Sequence, residues 1–362
     1  MHIVDVSEEL SYVSDFLQRI AVNEFIDPFE VRLQRTPKGL QLDLSALPAI
    51  EPMLIGRPVW EVPDLVKHLC GICPVPHHLA GVMALEQVMG IDEIPEAAQV
   101  TRLVLLLGSN LEQLGMMRKL PTFIALGKAI KATAGCSTHF PDVAVPGGVR
   151  KEVDWSALRA IDLPSEPPTS PTPPAFDGLS ASLSPHPLGP QVCVEKLGFS
   201  QFLSPAEFMQ ASAVPMLNID GEQVIYRVLG ASIAKTLHTL ERVISGSIEF
   251  AQAEPSQSGH GIGLVDGPRG LLAHEYFADA HGALISARIL TPTVQNEAWL
   301  TQLLNRVDAA DDTEDNGRGF EQAIRLVNPC LPIVQAPEGA MRIRIDGGEE
   351  DVPGCAGEDS AH

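Results

Sequence analysis

The sequence predicts an α+β fold, mainly helical, with long helices packed as a central bundle and β-hairpins at its periphery. Three observations carry this expectation. Apolar residues recur at steps of three and four over several long stretches, the period of a helix with one buried face. Two other stretches alternate apolar and polar residues around turn-forming residues, the period of a hairpin. Hydrophobic residues make up 45% and charged ones 20% of 362 residues, a globular composition with enough apolar side chains for a substantial core.

The elements follow in order. Over residues 8–20, Leu10, Val13, Phe16, Leu17 and Ile20 share one helical face ahead of Pro28, which marks a short amphipathic helix. Residues 31–44 alternate on both sides of Pro37-Lys38-Gly39 and read as a hairpin. From Pro76 to Gly90 and from Ala97 to Arg118, apolar residues such as Leu79, Val82, Leu103 and Leu107 repeat at three and four, implying two buried helices. A third long helix is predicted from about Glu222 to Ala253, with Val224, Val228, Ile233, Leu237 and Leu240 on one face. Between Pro164 and Pro190, nine of 27 residues are proline. So few large apolar residues cannot offset the ordering entropy, and an exposed linker or disordered insertion is expected. Gly270 to Leu290 reads as two strands around Asp279-Ala280-His281-Gly282, and residues 346–362 as a solvated acidic tail. The chain thus divides into an N-terminal half (1–162), a Pro/Ser-rich linker (163–191), a C-terminal half completing the same fold (192–345) and the tail.

The net charge of −21 creates a field that repels phosphate backbones and anionic bilayers, which argues against nucleic-acid and membrane-surface functions. The first residues are acidic and lack an apolar core of the signal-peptide kind, and no apolar run approaches the roughly 18 residues of a membrane span. A soluble cytoplasmic protein is expected. Six cysteines are too few for a disulfide scaffold, so a close pair reads better as a metal or redox site.

That pair lies in His68-Leu69-Cys70-Gly71-Ile72-Cys73-Pro74-Val75-Pro76-His77. Two thiols three apart on a turn can face one metal ion, and Gly71 relieves crowding between them. Pro74 and Pro76 start a helix whose N-terminal dipole favours thiolates. A CxxC alone is equally compatible with structural zinc, a redox dithiol or an incidental pair. Cys330, in Val327-Asn328-Pro329-Cys330-Leu331-Pro332, would by itself be read as a core cysteine. Residues 135–149 form a loop ending in Val145-Pro146-Gly147-Gly148-Val149, and Asp266-Gly267-Pro268-Arg269-Gly270 presents an arginine on a turn. Arg269 is a suitable donor to a small anion such as cyanide or carboxylate, or else a solvated arginine on a surface turn.

In this order and at these distances, the segments resemble the large subunit of nickel–iron hydrogenases. That family shows an RxCGxC motif followed by a histidine, an HPxxxxPGGV loop, a PRG turn, a PTxxN segment and a DPCxxCxxH motif. Here they appear as Cys70-Gly71-Ile72-Cys73 with His77, His139 to Val149, Pro268-Arg269-Gly270, Pro292-Thr293-Val294-Gln295-Asn296 and Asn328-Pro329-Cys330. The resemblance implies a large-subunit-like fold. It further implies that Cys70 and Cys330 match cysteines binding nickel alone, Cys73 a cysteine bridging nickel to iron, His77 the histidine hydrogen-bonded to that bridge, and Arg269 the arginine over the cyanide-bearing iron.

Several positions depart from the pattern. Ile333 stands where the fourth cysteine belongs, and its side chain has no lone pair to donate. Gln34 replaces the glutamate of an RIEGH-type motif, His68 an arginine, and Ala336 the final histidine. This combination resembles the hydrogenase expression and formation proteins of the HupK or HoxV type. What it implies is a non-catalytic maturation scaffold holding iron with cyanide and carbon monoxide, transiently and without nickel. The implied partners are maturation proteins of the Hyp type, a small HypC-like chaperone among them, and the hydrogenase large subunit. A divergent catalytic hydrogenase-like oxidoreductase subunit remains the alternative. A metal-free quinone-binding relative would lack the Cys70–Cys73 pair, and a thioredoxin-like dithiol would need a strand feeding it.

Overall fold

Pro74 and Pro76 open the helix Pro74–Val88, where the missing amide hydrogens have no intrahelical acceptor to lose. This helix is buried on nearly every side, so it sits inside the fold rather than on its surface. The protein is described by a computed structural model covering residues 30–37, 39–43, 51–164, 179–184, 188, 191–196, 199–213, 225–227, 232–250, 259–309 and 316–347. The expected helix over 8–20 and the tail beyond residue 347 lie outside these residues.

Strand His260–Gly267 lies directly on that helix. A Cβ at Gly263 would meet the Ala80 carbonyl oxygen and stand 2.8 Å from the Ala84 nitrogen, and one at Gly261 would meet the Ala84 carbonyl. Two glycines at i and i+2 face the same way on a strand, so only this glycine edge lets the two backbones touch. The strand pairs antiparallel with Gly270–Ala278, which pairs with Leu284–Leu290, giving a three-stranded sheet. The hairpin expected over 270–290 is therefore present. Its first strand is not peripheral, however: with His260–Gly267 it is almost wholly buried, whereas Leu284–Leu290 is partly exposed. Beside the helix lies Glu96–Met117, which packs against Pro121–Thr133 through Gly108, Gly115 and Gly127.

The hairpin Glu30–Thr36 and Gly39–Leu42 forms as expected. Its first strand also pairs in parallel with Arg342–Asp346 near the other end of the chain. Val31, Leu33, Leu40 and Leu42 bury against Trp299, Leu304, Phe320, Ile324 and Ile333, a core separate from the main one.

Two expectations are corrected. The single helix over 222–253 is a strand, Ile225–Arg227, and a shorter helix, Ile233–Ile244. Ser232 caps that helix by accepting from the Lys235 amide at 3.0 Å, and Gly246 ends it with φ +69°. Within the expected linker, Leu179–Ser184 is a strand of a four-stranded sheet with Gln191–Lys196, Phe199–Leu203 and Ile225–Arg227. Its Leu179, Ala181 and Leu183 bury against Phe208, Ile262 and Leu264, so alternation over six residues outweighs the flanking prolines. Among the described residues, no helix is long and apolar enough to cross a membrane.

Candidate metal centre

The short helix Val62–Val66 leads into the turn that carries Cys70, and Cys73 is the residue immediately before Pro74 at the start of the buried helix. Cys330 arrives from the far end of the sequence. Asn328 takes a left-handed φ of +51°, which Asn tolerates better than most residues. The Cys330 amide donates to Thr293 Oγ1 at 2.9 Å. Thr293 belongs to Pro292–Gln295, a helical turn capped by Thr291.

The three thiols converge. Cys70 and Cys330 sulfurs lie 2.7 Å apart, Cys70 and Cys73 3.1 Å, and Cys73 and Cys330 3.4 Å. All three are half-buried, with no disulfide formed among them. Hydrogen bonds from Cys330 and Cys73, reinforced by His77, hold Cys70 far below the ordinary thiol range. The other two respond in the opposite sense. Cys73 is pushed well up by its Cys330 and Cys70 partners and by burial, while Cys330 is pushed up to about 12, chiefly by Cys70. A hydrogen bond with Cys73 and, more weakly, the positive charge of Arg269 pull Cys330 partly back down.

The resemblance has His77 serving the bridging-type Cys73. His77 lowers the Cys70 thiol, and its Nδ1 lies 3.0 Å from His274 Nε2. Arg269 is only 4% exposed, so it is not a solvated turn arginine. Its Nε donates to Asn328 Oδ1 at 2.8 Å and its Nη1 to Gln113 Oε1 at 3.2 Å. The guanidinium therefore ties the PRG turn to the residue two before Cys330. His139 Nε2 lies 2.7 Å from the Gly71 carbonyl, and Phe140 packs on both His68 and His139. Behind this loop, the buried Arg102–Glu86 pair clamps the Pro-Gly-Gly turn: Gly147 donates to Glu86, and Arg102 donates to the Val145 and Gly148 carbonyls.

Metal–thiolate bonds of about 2.3 Å put the sulfurs of a tetrahedral ion roughly 3.8 Å apart. The three sulfurs lie within 3.4 Å of one another, close enough for three soft donors to share one metal ion. Among the described residues, this is the one group of three or more Cys, His, Asp or Glu side chains able to hold a metal. The donors do not fit a four-thiolate, two-metal centre, because Ile333 is 3% exposed and belongs to the apolar core beside Val31 and Leu33. Cys136 and Cys193 are buried outside this cluster.

Sequence reasoning did not single out Gln113, His274 or Tyr276. His274 and Tyr276 sit two apart on one strand face, a signal hidden by the apolar run around them. Gln113 is one of several polar residues buried along the Glu96–Met117 helix, and its sequence position alone does not distinguish it from them.

Comparison with known proteins agrees with this architecture. Residues 49–114 match the family model for nickel-dependent hydrogenases. The chain is 24% identical to the alpha subunit of sulfhydrogenase 2 from Pyrococcus furiosus, over 78% of this chain and 88% of that one. It is 34% identical to the beta subunit of the NAD-reducing hydrogenase HoxS from Cupriavidus necator, over 24% and 19% respectively. Among solved structures, an NAD+-reducing [NiFe]-hydrogenase superposes with a TM-score of 0.59 at 17% identity, over 82% of this chain and 93% of that one. The Ni-Fe-Se hydrogenase of D. vulgaris Hildenborough gives 0.55 at 12%, over 82% and 94%. The chain is thus similar in sequence to nickel-dependent hydrogenases over residues 49–114, and similar in fold to [NiFe]- and Ni-Fe-Se hydrogenases over most of its length.

Proposed function

We propose that this chain is a divergent hydrogenase-like subunit that holds an iron bearing cyanide and carbon monoxide on Cys70, Cys73 and Cys330 without converting hydrogen. In this reading it acts in the cytoplasm as a maturation scaffold, receiving the iron group from, or passing it to, a small HypC-like chaperone and the hydrogenase large subunit. The observation that carries the reading is the buried Ile333 at the position of a fourth thiolate. Bound there, iron would supply the ligand set delivered to a hydrogenase. The buried guanidinium of Arg269 is a fixed cation suited to anionic cyanide. A carboxylate proton relay has no counterpart at position 34, where Gln34 is exposed and its amide does not ionise.

A second reading, a catalytic hydrogenase-like oxidoreductase subunit, is favoured by the relatives, which are named as hydrogenase subunits. Metal analysis separates the two. Protein purified anaerobically from cells containing the maturation partners should hold iron stoichiometric with the chain and no nickel, and should not reduce an artificial dye with hydrogen. Stoichiometric nickel or hydrogen uptake overturns the scaffold reading in favour of the catalytic one.

A further inference from the structure

Behind the thiols, a file of buried polar side chains leads away from Cys70. His77 Nδ1 lies 3.0 Å from His274 Nε2, and His274 Nδ1 is hydrogen-bonded to the Tyr276 hydroxyl. His274 and Tyr276 are fully buried and His77 nearly so. The Pro74–Val88 helix passes them with Gly81, where a Cβ would stand 3.5 Å from the Tyr276 oxygen and 3.7 Å from His274 Nδ1. We propose that Tyr276 and His274 are positioning residues that fix the tautomer of His77, so that one hydrogen-bond polarity runs from the Tyr276 hydroxyl through His274 to His77 and leaves the His77 Nε2–H as a donor for the thiol cluster.

Proton counting gives the direction. A phenol has one O–H to donate. Among the described residues, the Tyr276 hydroxyl has no hydrogen-bond partner other than His274. It therefore donates to His274 Nδ1, which must be unprotonated. Neutral His274 then carries its hydrogen on Nε2 and donates to His77 Nδ1. That leaves the His77 hydrogen on Nε2, the nitrogen on the side of the ring away from His274. The reverse polarity, with both histidines neutral and protonated on Nδ1, would leave the buried Tyr276 proton aimed at no acceptor among the described residues, which is unfavourable. Burial also holds His274 far below the ordinary histidine range, consistent with its neutrality.

The inference concerns the metal-free chain, so its test is separate from that of the iron-scaffold reading. Long-range proton–nitrogen NMR on metal-free, full-length protein labelled with 15N-histidine reads each tautomer directly. The expected spectrum shows pyridine-type Nδ1 and pyrrole-type Nε2 for both His77 and His274. In Tyr276→Phe, the His274 Nδ1 loses its donor, and the His274 and His77 nitrogens should both shift toward the values of mixed tautomers. A pyrrole-type His77 Nδ1 in the native protein, or a Tyr276→Phe spectrum in which His77 does not move, overturns the proposal. Should that variant fail to fold, the native spectrum still decides, because it requires no substitution.

Discussion

Replacing Gly263 by alanine tests how the site is assembled. The new Cβ would overlap the Ala80 carbonyl oxygen and stand 2.8 Å from the Ala84 nitrogen and 2.9 Å from the Ala80 carbonyl carbon. All three are backbone atoms of a buried helix, so no side chain can swing aside. The strand must retreat from the helix, and overpacking of this kind costs typically about 1–3 kcal/mol and occasionally more. Because the displaced group is backbone, we expect about 3 kcal/mol. The consequence reaches the thiols: the same hairpin carries Arg269 on its turn and His274 on its second strand, while Cys73 and His77 belong to the helix side. Urea denaturation should show a lower midpoint with an unchanged slope. Gly317→Ala serves as the control, since it adds a methyl to open space at the start of a helix and should be neutral or stabilising by up to about 1 kcal/mol. An unchanged midpoint for Gly263→Ala would refute the close backbone approach, and with it the account of how Arg269 is held near Cys330.

Further outcomes follow from the same geometry. Serine at Cys70, Cys73 or Cys330 should each abolish metal retention, whereas serine at Cys136 or Cys193 should retain it at some loss of stability; equal metal loss across all five would contradict the triad. Burial lowers His78 from 6.5 to about 4, so on acidification the folded state takes up this proton later than the unfolded chain does. That contribution, about 3 kcal/mol at roughly 1.36 kcal/mol per unit, is present above pH 6.5 and lost as pH falls toward 4; His78→Gln should flatten this part of a stability–pH curve measured with urea. Finally, the backbone on both sides of Ala336 is held in place: Arg325 donates to the Val334 and Pro337 carbonyls, and Arg342–Asp346 pairs with the strand Glu30–Thr36. Intact-mass measurement should find no homogeneous cut after Ala336, even in cells containing a hydrogenase-processing protease.

Much of this site is legible in the sequence because its motifs are local. Cys70, Cys73 and His77 lie on one turn and one helix start, and the helix after them is marked by its own period and prolines. What sequence alone hides is long-range. The pairing of residues 30–34 with 342–346 joins distant parts of the chain, and no local pattern encodes such a partner. The burial of the 260–278 hairpin depends on Gly261 and Gly263 meeting a helix far earlier in the chain, and isolated glycines in a strand carry many meanings. The helix expected over 222–253 departs from the structure for a different reason: its apolar period is real over Ile233–Ile244, but the Ser232 cap inside the window starts the helix late. The strand at Leu179–Ser184 is obscured by proline-rich composition on both sides.

The central claim, that three thiolates hold an iron with cyanide and carbon monoxide, is tested most directly by infrared spectroscopy of the anaerobically isolated protein. Cyanide and carbonyl ligands absorb where no protein group does. The account predicts both kinds of band in the native protein, in a sample containing iron but no nickel, and their loss in Cys73→Ser. An iron-loaded protein without these bands, or bands accompanied by stoichiometric nickel, would contradict it.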